Sequence, residues 1–345
     1  MRPERPVINP GVARRKPLSV SPEELVETKL PEGKTLPLIV RPAVAALNLL
    51  DWAAGHTDFV EAKVLEHGGL LFRDFGVRSA AEFEQFIRIT AGEPLEYRER
   101  SSPRSQVGAG NVYTSTDYPA DQPIYLHNEN SYQGKWPLRL FFYCETAARE
   151  RGETPIADVR RVMARLDPSV VERFAEKQVM YVRNFGSGLG LPWQTVFQTE
   201  DRAVVEGHCR ANGITFEWLP GDRLRTRAVR PALARHPRTG ELTWFNHATF
   251  FHVTTREPKI RQALLAVFKE EDLPTNTYYG DGSPIEPEVL DGLRAAYEAE
   301  LVALPWREGD VLLLDNMLAA HGRSPYSGPR KILVGMAVPV TERNL

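Results

Sequence analysis

Leu138-Arg139-Leu140-Phe141-Phe142-Tyr143-Cys144-Glu145 is an aromatic-rich, strand-like run, and the company it keeps decides the fold. Just upstream, Ile124-Tyr125-Leu126-His127-Asn128-Glu129 is a shorter strand-like stretch. Downstream lies another at 178–185, and the last third adds two more, Val311-Leu312-Leu313-Leu314 and Lys331-Ile332-Leu333-Val334-Gly335-Met336. Before them, apolar residues recur at helical spacing from about 40 to 67, and Gly68-Gly69 ends that run ahead of a buried strand, Leu70-Leu71-Phe72. Ser79-Ala80-Ala81-Glu82 has capping-box form and opens a helix through Phe83, Phe86 and Ile87. Further helices are expected at about 168–177, 200–212 (closed by Asn212-Gly213), 257–271 and 286–303. Strands parted by long insertions do not fit the regular alternation of a parallel α/β sheet. A mainly β chain with flanking helices, a sandwich or jelly roll, fits better, and jelly rolls host small-molecule sites.

Two segments stand outside that pattern. Residues 1 to about 20 carry Pro3, Pro6, Pro10 and Pro17 among scattered basic residues and have the character of an arm without its own core. The expected division is therefore an N-terminal arm over 1–40 and a single domain over 41–345. From about 95 to 123, Arg98, Arg100, Arg104, Asn111 and Thr114-Ser115-Thr116 sit among glycines and prolines, as in a long functional loop.

Bulk properties exclude several classes. The 345 residues are 42% hydrophobic and 26% charged, with a net charge of −2, which leaves no basic footprint for nucleic acid. Cys144 and Cys209 are the only cysteines, so no disulfide framework is implied and a cytoplasmic setting is expected. No apolar stretch is long enough to span a membrane. A zinc-hydrolase His-Glu-x-x-His, a Cys-x-x-Cys pair, a phosphate-binding loop and a Gly-x-Ser-x-Gly elbow are all missing. Gly108-Ala109-Gly110 is too short for a dinucleotide site.

His127-x-Glu129 is by itself a weak pattern, since eight histidines and 45 acids supply roughly one such match by chance. A second match, His56-Thr57-Asp58, sits at a helix entry, where residues two apart do not share a face. In an extended strand residues two apart do point the same way, so His127 and Glu129 could reach one ion. Equally, His127 could be a strand-end histidine bonded locally, with Glu129 solvated. His321 follows the strand 311–314 by a few residues, in a loop with Gly322 and Pro325.

Four separated motifs change the weighing. They are His127-Asn128-Glu129-Asn130-Ser131-Tyr132, Gly152-Glu153-Thr154-Pro155-Ile156-Ala157-Asp158-Val159-Arg160, Asp315-Asn316-Met317-Leu318-Ala319-Ala320-His321-Gly322-Arg323, and Gly328-Pro329-Arg330-Lys331. In this order they resemble the TauD/TfdA-like superfamily of iron(II)- and 2-oxoglutarate-dependent dioxygenases. The likeness is to its clavaminate-synthase-like and SyrP-like branch, in which the carboxylate ligand is Glu. Thr114-Ser115-Thr116, Trp244-Phe245-Asn246 and Tyr279-Gly280-Asp281-Gly282 are similar to that branch as well, so the resemblance covers about 65 to 340.

The resemblance implies a double-stranded β-helix (jelly-roll) core, with His127, Glu129 and His321 as facial ligands of Fe(II) and Thr154 and Arg330 holding the distal carboxylate of 2-oxoglutarate. It implies dioxygen as a further co-substrate and release of succinate and CO2 as an unactivated C–H bond is hydroxylated, or desaturated or cyclised at the same centre. Related halogenases lack the carboxylate ligand, so Glu129 argues against that activity. The substrates it implies are amino acids or amino-acid-derived natural-product intermediates, free or tethered to a carrier protein. A homo-oligomer is compatible with it; nucleic-acid and membrane partners are not expected. Candidate substrate contacts are Arg98, Arg104, Asn111, Thr116, Asn246 and Arg323. Arg104 could grip a carboxylate or be a solvated loop arginine, and Arg323 could touch substrate or brace its loop. A metal-dependent hydrolase or isomerase, or a non-catalytic binding protein, are the rival classes.

Overall fold

The computed structural model describes residues 22–96, 105–108, 110–115, 118–186 and 188–342. A seven-stranded sheet dominates it, in the order Val26–Lys29, Leu38–Pro42, Gly69–Phe72, Val311–Asp315, Lys135–Thr146, Lys331–Thr341, Val112–Thr114. All its neighbours pair antiparallel except Leu38–Pro42 with Gly69–Phe72, which are joined by a helical crossover and run parallel.

The side-chain period of two divides this sheet into two apolar faces. Leu70, Phe72, Phe141, Tyr143, Val311, Leu313 and Leu333 face a helical layer, packing with Trp52, Val64, Phe83 and Phe86. Their alternates, Leu71, Leu140, Phe142, Leu312, Leu314, Ile332 and Val334, form the opposite core with Ile156 and Ala319. Those last two belong to a three-stranded sheet ordered Ile124–His127, Ala319–Arg323, Ile156–Asp158. The two sheets sandwich the second core, and neither closes into a barrel. This is the mainly β architecture with flanking helices that the strand pattern led us to expect.

The helical layer is held by local chemistry. Asn48 caps Leu49–Gly55 by accepting from the N–H groups of Leu50 (2.8 Å) and Asp51 (3.1 Å). Gly68 ends Thr57–His67 in the left-handed region at φ 76°. Ser79 accepts from Glu82 N (3.2 Å) at the start of Ala80–Ala91, and Glu82 answers at Arg78 N (2.8 Å), one residue earlier than a standard capping box. Four further strands, Val179–Phe185, Ile214–Leu219, Arg223–Arg230 and Thr275–Tyr279, make a lateral sheet beside the three-stranded one.

Two boundaries differ from expectation. The segment assigned to the arm up to residue 40 supplies two strands of the large sheet, because Val26, Leu36, Leu38 and Val40 are buried in its cores. Only residues 1–21 of that arm lie outside the described residues. The stretch expected as a loop from 95 to 123 contains Val112–Thr114, an edge strand on Lys331–Thr341.

Candidate metal and co-substrate site

Antiparallel pairing sets His321 directly opposite His127, on neighbouring strands of the small sheet. Their rings lie 4.4 Å apart between centroids. Gly322 allows the approach: a Cβ there would come within 2.5 Å of the Ile124 carbonyl oxygen. Phe142 rises from the large sheet to pack on His321 at 5.2 Å.

Glu129 reaches this pair from a turn, not from the strand. The strand stops at His127, and Asn130 adopts φ 58°. The turn is fastened by Asn316, whose Oδ1 accepts from Glu129 N (2.7 Å) while its Nδ2 donates to the carbonyls of Glu129 and Pro137 (both 2.9 Å). Asn128 returns the tie, donating to Asn316 O at 2.7 Å. The neighbouring Asp315 is fully buried and accepts from Arg139, from His236 Nε2 (2.9 Å) and from Met317 N (2.8 Å). Burial pushes its carboxyl up, but Arg139 and His236 outweigh this and hold it below the usual carboxylate range. The Asp315-Asn316 pair thus locks the start of the His321 strand and the Glu129 turn to one framework.

Nε2 of His127 and of His321 lie 3.9 and 3.8 Å from the same Glu129 oxygen, Oε2. All three residues offer ligand atoms within 4.8 Å of one another. Facial donors about 2.1 Å from one ion stand about 3 Å apart, so the groups already converge on one point and need close by only about 1 Å to hold a divalent metal. His127 Nδ1 lies 2.9 Å from the carbonyl of Tyr125, which can only accept, so Nδ1 carries the proton and Nε2 presents its lone pair. Two imidazoles and one carboxylate on one side suit Fe(II) and leave the other side for ligands. His56 takes no part: it joins two helices, with Nδ1 2.6 Å from Trp52 O.

A small pocket extends from the triad along the large sheet. Thr154 and Arg330 line it with Ser115, Phe142, Ile332 and Val334. Arg330 donates through Nε to Gly152 O (2.8 Å) and through Nη1 to Ser115 Oγ (3.3 Å). Gly152, at φ 74°, makes this possible, since a Cβ would lie 2.8 Å from Ala148 Cβ and 3.2 Å from Arg330 Cδ. Burial, then the nearby Arg323, lowers the Arg330 guanidinium to about 10. No carboxylate pairs with it among the described residues, the environment an anionic ligand would relieve. Thr154 Oγ1 accepts from Trp306 Nε1 (3.2 Å), which directs its own hydroxyl proton elsewhere, available to such an anion.

The other sequence candidates separate clearly. Arg323 is buried and braces the 118–122 loop, donating to the carbonyls of Tyr118 (2.9 Å), Pro119 (2.5 Å) and Gln122 (2.8 Å). Asn246 is buried and engaged in its own turn, its amide donating to Ala232 O and accepting from Ala248 N, both at 2.9 Å. Asn111 is likewise engaged with Pro94 O, 3.0 Å away. Arg98, Arg104 and Thr116 lie outside the described residues.

A cleft of about 630 Å³ opens on the triad, between the small sheet and the lateral sheet. His127 and Glu129 form part of its floor, with Tyr132, His247 and Phe250 beside them. His247 is packed 5.4 Å from the His127 ring and contacts Ser131 Oγ at 2.5 Å. Burial, then the proximity of His127 and Arg183, holds it well below the usual histidine range and keeps it neutral. Sequence reasoning missed the Asn316 clamp, Trp306 and the cleft wall. The Asp315-Asn316 dipeptide was quoted as a motif, but nothing in its sequence told that the amide, not an acid, positions Glu129.

Residues 35–337 match the family model described as taurine catabolism dioxygenase TauD, TfdA family. The chain is 45% identical over 276 residues to the dapdiamide synthesis protein DdaC of Enterobacter agglomerans, covering 80% of this chain and 83% of that one. It is 29% identical over 335 residues to a clavaminate synthase-like protein of Arabidopsis thaliana, covering 90% and 98%. Among solved structures, PvcB of Pseudomonas aeruginosa shares the fold with a TM-score of 0.56 at 16% identity over 93% of each chain. A taurine dioxygenase from Burkholderia xenovorans does so at 0.53 and 14% identity, again over 93% of each. The chain belongs to the TauD/TfdA family and is an iron(II)- and 2-oxoglutarate-dependent dioxygenase, with dioxygen as its second co-substrate.

Proposed function

We propose that this chain hydroxylates an unactivated C–H bond of an amino acid or amino-acid-derived natural-product intermediate, free or tethered to a carrier protein. His127, Glu129 and His321 would hold the iron, and Arg330 with Thr154 the distal carboxylate of 2-oxoglutarate. The iron, when loaded, supplies the oxidising chemistry. The chain's own groups orient it, and Phe142, Ile332 and Val334 give the pocket behind it one apolar wall opposite its polar groups.

The observation that carries the substrate reading is the cleft. Tyr125, Leu189 and Ile260 are large apolar side chains left 43%, 42% and 37% exposed, and all three line it. Exposed apolar groups converging on one concavity beside a metal triad mark a ligand site of small-molecule size. The names of two similar proteins point the same way, one a dapdiamide synthesis protein and the other an oxygenase from an isonitrile synthetic pathway. No helix among the described residues is long and apolar enough to cross a membrane.

Anaerobic addition of iron(II) and then 2-oxoglutarate to the purified chain is expected to give a weak visible charge-transfer band, and His127→Ala to abolish it with the fold intact. Succinate release is then screened against amino acids and their N-acyl and thioester derivatives, with product mass separating hydroxylation (+16) from desaturation (−2). The absence of a band in the folded wild type would overturn the site assignment. Exclusive loss of two hydrogens would overturn hydroxylation.

A further inference from the structure

The cleft contains two arginines that the iron and 2-oxoglutarate sites do not use. Arg183 lies on Val179–Phe185, on the same face as Tyr181 and Phe185 because the strand alternates. Its guanidinium rests 5.4 Å from the Tyr132 ring and 4.9 Å from the Phe185 ring. Arg256 follows the single 3-10 turn Val253–Thr255 and lines the same cleft. Among the described residues neither guanidinium donates a hydrogen bond, and neither has a carboxylate within 4 Å. The contrast with Arg225 is direct: that residue, on the strand paired with Arg183's, is tied to Asn184 (2.8 Å) and Asp272 (2.6 Å).

Two half-buried cations without a carboxylate partner line one partly apolar cleft, and an entering anion would find both available to it. Glu129 is the sole acidic residue among those lining the cleft, and its oxygens face the two histidines. Iron would add further positive charge there. Lying over the Tyr132 and Phe185 rings holds the Arg183 guanidinium between two aromatic walls, where its fork can make two parallel bonds to an oxyanion. Tyr132 is 5.0 Å from His247, and His247 is 5.4 Å from His127, so the fork stands about three ring contacts from the metal. A group held there lets the remainder of a small substrate reach the iron.

We propose that Arg183, assisted by Arg256, is the anion anchor of the substrate cleft, gripping an oxyanion at the end of the substrate remote from the reacting carbon. This rests on the cleft being the substrate site. The anion is either the substrate's own carboxylate or the phosphodiester of a phosphopantetheine tether, since both present paired oxygens. Arg183 is a binding and positioning residue, not a group that touches the reacting atoms.

The test uses the full-length chain and two matched ligand pairs: N-acetyl amino acids against their carboxamides, and phosphopantetheine against pantetheine. Calorimetric titration of the metal-free protein is expected to show one anionic member binding at least about tenfold more tightly than its neutral counterpart. Preference within the first pair identifies a substrate carboxylate, and preference within the second a tether. Arg183→Gln should erase the preference, Arg183→Lys should keep part of it, and Arg256→Gln should reduce it. The iron–2-oxoglutarate charge-transfer band should persist in all three variants. Equal binding of both members of both pairs to the wild type, or an undiminished preference in Arg183→Gln, would overturn the anchor. Failure of the wild-type band would instead overturn the iron-site reading, and the two outcomes are read independently.

Discussion

Replacing Asn316 with alanine removes the side chain that fastens the Glu129 turn, and the structure sets the size of the effect. The amide makes three buried hydrogen bonds, to Glu129 N (2.7 Å), Glu129 O and Pro137 O (both 2.9 Å). Each is worth about 1 kcal/mol net, and the Glu129 N–H is left without an acceptor, so a loss of about 3 kcal/mol is expected. At ~2 °C per kcal/mol for a chain of this size, Tm should fall by about 6 °C. The functional consequence is separate: Glu129 keeps its carboxylate but loses its fixed aim, and such supporting groups are worth roughly 10- to 100-fold in metal affinity. Asn316→Asp is the informative companion, because it can still accept from Glu129 N but offers nothing to the two carbonyls. Anaerobic iron(II) titration beside a thermal melt measures both effects. A variant that melts about 6 °C lower yet binds iron within twofold of wild type would refute the reasoning, since the clamp would then be stabilising the sheet without orienting Glu129.

Two further changes address other parts of the molecule. Arg330→Met should weaken 2-oxoglutarate binding by about 3 kcal/mol, roughly a hundredfold, because a buried charge-assisted pair is broken, while iron binding stays unchanged; Arg330→Lys should recover only part, lacking the fork that also reaches Gly152 O. His252 is buried and accepts from Thr254 N through Nδ1 (3.2 Å), and burial, then Arg294 and Arg261, lowers it to about 4. With a folded value below the unfolded one, the unfolded chain takes up the proton first, so the stability from neutral His252 is intact above about pH 6.5 and lost as pH falls toward about 4. Urea unfolding should show about 2 kcal/mol less stability from this residue at pH 5 than at pH 7, and His252→Asn should flatten that slope; an unchanged slope would refute it.

How much of this was legible in the sequence depends on whether a signal was local. Ser79 and Gly68 mark their helix ends because capping is a matter of a few neighbouring atoms. The central strands were legible because both faces are buried, so 311–314 and 140–144 are continuously apolar or aromatic. The strand Ala319–Arg323 was not, and His321 was expected in a loop. Ala-Ala-His-Gly-Arg has no β-branched residue, and pairing on both sides overrides its weak propensity. Val112–Thr114 was hidden in the same way by its loop-like surroundings, and the strands before residue 43 by the proline-rich start that precedes them.

The His127–Glu129 spacing is the more instructive case, because the expectation and the geometry agree for different reasons. Two residues apart on a strand would share a face, but the strand ends at His127 and a turn with Asn130 at positive φ delivers the carboxylate. What aims Glu129 is a side chain 187 residues away, and no local rule contains that distance. The same holds for the arginines. Arg323 and Arg330 flank the Tyr326 ring at 5.2 and 5.4 Å and look equivalent in sequence. Both line the small pocket, but three backbone carbonyls occupy Arg323, whereas Arg330 meets one carbonyl and one hydroxyl. Residue type nominates a ligand, but the count of acceptors already supplied by the fold determines which cation is left for one. By that criterion Arg323 and Asn246 are largely occupied by the fold, whereas Arg183 and Arg256, which no motif had singled out, are left for a ligand.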